Sequence, residues 1–291
     1  MTDRIAPVAP RAPRPDPARA LKSAITGRVV ALFNDRSRGE APVMRRTDGL
    51  FGPNSVAWRV HGDVTSMMIG GVSSLLLQML HPPVLAGVWD HSGFRADMQG
   101  RLRRTARFIA LTTYGGREEA EAVIARVCRI HDQVRGSLPD GTPYAANDPT
   151  LLAWVHVTEA LSFLNAWRRY AEPRMPLAAQ DRYFAEVAQV ARALGADPVP
   201  VNRAAALRLI EDYRPHLRND ARTRDVRDVV LNAAVADPLT APVQAVGNQA
   251  AIDLLPDWAR RMHGLSNPVL GRPLLRAGMF GVARTLRWAF R

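Results

Sequence analysis

Several kinds of chemistry are excluded by what this sequence lacks. Cys128 is the only cysteine in 291 residues. That rules out an intramolecular disulfide and a cysteine-built zinc site, and it matches a reducing compartment. Lys22 is the only lysine among 39 basic side chains, so the net charge of +12 is carried by arginine. The arginines are spread along the chain, whereas a nucleic-acid footprint gathers its cations on one element. No nucleic-acid partner is expected.

There is no glycine-rich phosphate loop, no Gly-x-Ser-x-Gly elbow and no His-Glu-x-x-His zinc motif. A di-iron bundle needs paired Glu-x-x-His motifs, and the one pair of either order is His156-Val-Thr-Glu159. The opening "MTDRIAPVAPRAPRPDPARA" lacks the apolar core of a signal peptide. Its prolines favour a disordered, extended arm over residues 1–17. The longest charge-free apolar run, residues 64–80, is shorter than the roughly 20 residues a bilayer requires. It reads as a buried core helix, and a cytoplasmic protein is the expectation.

What is present is helical periodicity, with almost no strand alternation. It predicts helices over about 17–34, 62–80, 82–90, 97–113, 116–136, 148–171, 176–194, 202–218, 221–236, 239–262 and 272–290. Asp148-Pro149 and Asp237-Pro238 read as an N-cap followed by proline at the first helical position. Gly115-Gly116, Gly136 and Gly195 read as helix ends, and "LPDGTPY" (138–144) as a turn. The fold class is all-α: an arm over 1–17, then one helical domain over 18–291.

Two neighbouring helices hold the unusual residues. In 97–113, helical spacing puts Arg101, Thr105, Phe108 and Thr112 on one stripe, with Arg104 beside Arg101. In 116–136, Ala120, Val123, Ile124, Val127, Cys128, His131 and Val134 share an apolar face, which points His131 at the core. A core imidazole needs hydrogen-bond partners or a metal. An imidazole, an apolar slot and an arginine pair are together what a haem requires: an axial base, a place for the ring and cations for the propionates.

The segments "GGVSSLLLQMLHPPVLAGVWDHSGF", "RLRRT", "RIHDQVRG" and "DGTPYAANDPTLLAWVHVT", in that order between about residues 60 and 170, resemble the MpaB and latex-clearing-protein (rubber oxygenase) family. The resemblance implies a globin-like helical core with additional helices, b-type haem iron, and O2-dependent cleavage of carbon–carbon double bonds in isoprenoid chains. His131 matches the family's proximal haem histidine. Arg101 and Thr105 match its Arg-x-x-Lys-Thr pattern, with Arg104 in place of the lysine. A guanidinium has no lone pair to give a metal. The resemblance therefore assigns Arg101, Arg104 and Thr105 to haem binding and to catalysis, and His131 to the iron. The family's catalytic glutamate has no counterpart, because no glutamate lies between Glu40 and Glu118. His81, Asp90, His91 and Asp97 are the titratable groups nearby, with a capping role open to His81 in "LHPP".

The expected activity is a haem-dependent oxygenase acting with O2 on a hydrophobic, isoprenoid-like small molecule. A haem-binding member without turnover is the alternative. A further alternative is a basic protein that meets a membrane surface peripherally through its C-terminal helix, "RPLLRAGMFGVARTLRWAFR", whose mix of arginine with Leu, Met, Phe and Trp suits an interface.

Overall fold

The computed structural model describes residues 16–34, 39–233, 240–266 and 271–290. The extended arm, but for its last two residues, and the Asp237-Pro238 cap lie outside them. Thirteen α-helices appear among the described residues. In chain order they are α1 Pro17–Phe33, α2 Val56–His61, α3 Val64–Gln78, α4 Pro82–His91, α5 Met98–Tyr114, α6 Arg117–His131, α7 Pro149–Tyr170, α8 Leu177–Ala193, α9 Arg203–Tyr213, α10 Ala221–Leu231, α11 Ala241–Leu254, α12 Asp257–Met262 and α13 Arg272–Ala289. The fold is predominantly all-α.

Local chemistry explains most helix starts. Asp148 accepts from the Thr150 and Leu151 amides ahead of α7, with Pro149 in the first turn. Asp97 accepts from the Gly100 amide and opens α5. Asp63 accepts from the Ser66 amide and hydroxyl at the head of α3. In each case a carboxylate satisfies amides that the first helical turn leaves without partners.

Helix α3 is the centre of the molecule, packed along α7 and flanked by α11. Its small residues allow that approach. A Cβ on Gly70 would meet the Phe163 ring at 2.7 Å and the Ser162 carbonyl at 3.0 Å. The 64–80 run is accordingly a core helix, with Ile69, Leu75, Leu76 and Leu77 buried. No single described helix is long and apolar enough to cross a membrane. On the other side of α7 lie α8 and α9, and α5 and α6 form a hairpin turned at Gly115-Gly116.

Four expectations need correction. The long 239–262 helix is two, because Pro256 starts α12 after α11 has ended at Leu254. Helix α6 stops at His131, so Val134 is not on its face. Gly136 ends no helix: it pairs with Tyr144 in a short antiparallel hairpin, β1 Arg135–Ser137 with β2 Pro143–Ala145. Three-residue strands are too short to show an alternating pattern. Helix α2, six residues long, was not foreseen for the same reason.

Candidate functional site

A cavity of about 480 Å³ lies between α3, α5, α7, α11 and α13. Its walls are chiefly apolar: Met67, Ile69, Val72 and Leu75 from α3, Leu102, Ala106 and Ile109 from α5, Phe163 from α7, and Met279, Val282 and Leu286 from α13. A cavity of this size with a chiefly apolar surface suits a small organic ligand.

Polar side chains are set into these walls at several places, among them Arg45, Gln99, Arg103 and Arg107. Arg101 and Thr105 line the cavity. Arg101 is removed from water, which lowers its pKa, and Arg104 nearby lowers it further. Thr105 turns its hydroxyl back onto the Arg101 carbonyl, 3.2 Å away. Arg104 is not on the lining; it faces Asp97 at 3.3 Å in an exposed pair. The side-by-side arginine pair expected from helical spacing is thus split, with Arg101 turned inward and Arg104 outward.

Two residues of the cavity were not anticipated as site residues. His61, the last residue of α2, holds both ring nitrogens in hydrogen bonds: Nδ1 with Thr113 Oγ1 at 2.8 Å and Nε2 with the Tyr183 hydroxyl at 2.9 Å. Burial pushes its pKa down to about 3, so the ring is neutral. Glu159, in the middle of α7, also faces the cavity. Its carboxyl has no hydrogen-bond partner among the described residues, and burial pushes its pKa up to about 7. A solvent-accessible fraction remains on this side chain because the cavity itself provides that surface. Glu159 also raises the Tyr183 phenol, which bonds His61 from behind the lining. The sequence carried a signal: within the apolar stretch 151–167, Glu159 is the only acidic residue.

The other sequence candidates lie elsewhere. His131 ends α6, half-buried and outside the cavity lining; its Nδ1 is buried without a partner. Burial lowers its pKa. His81 occupies the N-cap position of α4 but makes no capping bond with its side chain; it packs against Trp154 and Tyr213. His91 meets the Arg135 carbonyl at 3.1 Å, and Asp90 accepts from the Tyr144 hydroxyl at 2.7 Å. His156 is buried one turn from Glu159 with its Nε2 unpartnered. No cluster of three metal-ligating side chains exists among the described residues.

A histidine-ligated haem needs an imidazole nitrogen free for the iron. Among the described residues the one imidazole lining this cavity, His61, has both nitrogens engaged, and His131 is not on the wall. The cavity lining therefore does not fit a histidine-ligated haem. What it offers instead is a long apolar space, one desolvated guanidinium, and one carboxyl poised to exchange a proton near neutrality.

No curated protein and no solved structure matches the chain. A family model does: the catalytic domain described as ER-bound oxygenase mpaB/B'/rubber oxygenase, over residues 58–288. That span takes in the entire cavity apart from four residues that precede α2, and on this evidence the chain belongs to the mpaB/rubber oxygenase catalytic-domain family.

Proposed function

We propose that this oxygenase-family protein takes a long hydrophobic, isoprenoid-like molecule into the cavity between α3, α5, α7, α11 and α13, for oxidation by O2 that a redox cofactor held outside the lining would activate. The observation that carries this reading is the predominantly apolar surface of the cavity. The Met, Leu, Ile and Val walls withdraw the chain from water, which favours binding in proportion to the apolar area covered. They also hold it in one orientation against Glu159.

Glu159 is the group able to move a proton. A carboxyl that titrates near neutral pH is populated in both forms, the condition for general acid–base work. The bonds from Thr113 and Tyr183 to His61 hold that neutral ring in place beside the same space. In this reading Glu159 supplies from α7 the carboxylate that the family carries before its arginine–threonine motif.

Oxygen uptake with farnesol and geranylgeraniol tests the reading. Wild type is expected to bind and turn over one of them. Glu159→Gln is expected to bind with unchanged affinity while turnover falls about 100-fold. Failure of wild type to bind either alcohol sinks the proposal.

A haem held by His131, outside this cavity, is the second reading. What favours it is the buried Nδ1 of that imidazole, which has no partner, together with the family's cofactor. Its test is the absorption spectrum of protein made with added haem precursor, beside His131→Ala. A Soret band lost or shifted in the variant supports it; a colourless wild type that takes up no haemin rejects it. Peripheral membrane contact through α13 rests on exposed Leu274, Phe280 and Trp288. Flotation with liposomes that Leu274→Ser and Phe280→Ser leave unchanged would reject it.

A further inference from the structure

Where an acid of this protein is ion-paired, it generally meets one arginine. Asp48, Asp225, Glu121, Glu186 and Glu211 each do so among the described residues. Asp253, in the last turn of α11, is different. Arg169 from the last turn of α7 reaches it at 2.8 Å, Arg276 of α13 at 2.8 and 3.2 Å, and Arg272, the first residue of α13, at 3.4 Å. Three guanidiniums against one carboxylate leave a net charge of +2 (3 − 1). Asp257, the next acid along the chain, is taken up by Arg260.

Asp253 engages only part of the donor set around it. Its side chain is 1% exposed, while those of Arg169, Arg272 and Arg276 are 31%, 26% and 44% exposed. Arg169 uses Nη1, and Arg276 uses Nε and Nη2. The Nε of Arg272 is buried without a hydrogen bond, and its Nη atoms make none among the described residues. The carboxylate is therefore sealed from within, while N–H groups remain for the side that meets water. Helix α13 adds to the same field. It starts at Arg272 with no side-chain cap, so first-turn amides and the positive end of the helix dipole lie beside that guanidinium.

We propose that Arg169, Arg272 and Arg276 together form a binding site for a phosphate group, separate from the cavity and independent of what the cavity takes. Like charges gathered this closely repel one another, and an anion at their outer edges relieves the repulsion. A phosphate group brings up to two negative charges at neutral pH, which matches the excess, and a carboxylate brings one. Its oxygens accept paired, charge-assisted hydrogen bonds from guanidinium forks. A free phosphate compound and the head group of an acidic lipid offer the same chemistry.

The test uses the full chain with inorganic phosphate, by isothermal titration, and with phosphatidylcholine vesicles carrying or lacking phosphatidic acid, by flotation. Wild type is expected to bind phosphate or the acidic vesicles. Arg272→Gln removes the arm held most loosely on Asp253, and is expected to weaken that binding about tenfold or more with the melting temperature unchanged. Arg284→Gln, exposed on the same helix, is expected to change it by less than about twofold. A loss measured with inorganic phosphate assigns a free phosphate compound, and a loss on the vesicles alone assigns a lipid head group. Phenylglyoxal labelling of wild type, read by mass spectrometry, needs no variant: the bound probe should shield Arg272 and Arg276 and leave Arg284 reactive. If neither probe binds, if both variants lose binding equally, or if labelling is the same with and without probe, the site is overturned and the cluster is a structural clamp alone.

Discussion

Buried charge is handled in opposite ways at two places in this molecule. Beneath α13, the fully buried carboxylate of Asp253 is saturated: Arg169 reaches it at 2.8 Å, Arg276 at 2.8 and 3.2 Å, and Arg272 at 3.4 Å. Asp63 is treated similarly, capping α3 while Arg287 of α13 reaches it at 2.6 Å. In the cavity, Arg101 and Glu159 have no such partners among the described residues. Charges that hold a fold together are paired within it. Charges left unpaired at a desolvation cost are where a ligand or a proton is to be received.

The sharpest way to break this contrast is at the clamp. Asp253→Ala strands three arginines and should cost about 3–5 kcal/mol, seen as a large fall in the urea midpoint. A loss below about 1 kcal/mol would mean that the clamp contributes little.

Glu159 should show the opposite character through pH. Its carboxyl titrates near 7 in the fold against 4.5 for the unperturbed group. Between those values the unfolded chain has released the proton while the fold still holds it. The Glu159 contribution to stability should therefore fall by about 3 kcal/mol as pH rises through that window and level off above it. The buried neutral His61, His81 and His156 act in the opposite direction over part of the same range, so the readout is the difference between wild type and Glu159→Gln. A difference that does not change between pH 4.5 and 7 would show that the carboxyl is not desolvated.

Arg101→Gln removes an unpaired cation from a desolvated place and should raise stability by about 1 kcal/mol. A lower melting temperature would reveal a structural partner for Arg101. Arg104→Gln, one turn along the same helix but in an exposed pair, should stay within about 0.5 kcal/mol.

Much of the helical layout was legible in the sequence because its signals are local. Asp148-Pro149 opens α7 and Gly195, at a φ of +93°, follows the end of α8, and both roles depend only on neighbouring residues. The Arg101–Thr105 segment announced itself as unusual, and the structure divides it: Arg101, Leu102 and Arg103 are half-buried while Arg104 and Thr105 are exposed. What could not be read was which side of α5 each residue would take. Arg101 and Arg104 are three apart and share a face by spacing alone, yet the packing of α3, α11 and α13 takes one inward and leaves the other in water.

By itself, then, the sequence determined most of the helices, several of their caps, the family and the presence of a polar stripe on α5. These follow from short-range periodicity, capping and motif order. Only the tertiary structure decided that His61 is held by Thr113 and Tyr183, residues 52 and 122 positions away, and that Glu159 shares a cavity with Arg101 while His131 does not. Those relations depend on how separate helices cross. A crossing is set by side-chain shape at the contact, as at Gly70 against Phe163, and no periodicity along one strand of sequence encodes it.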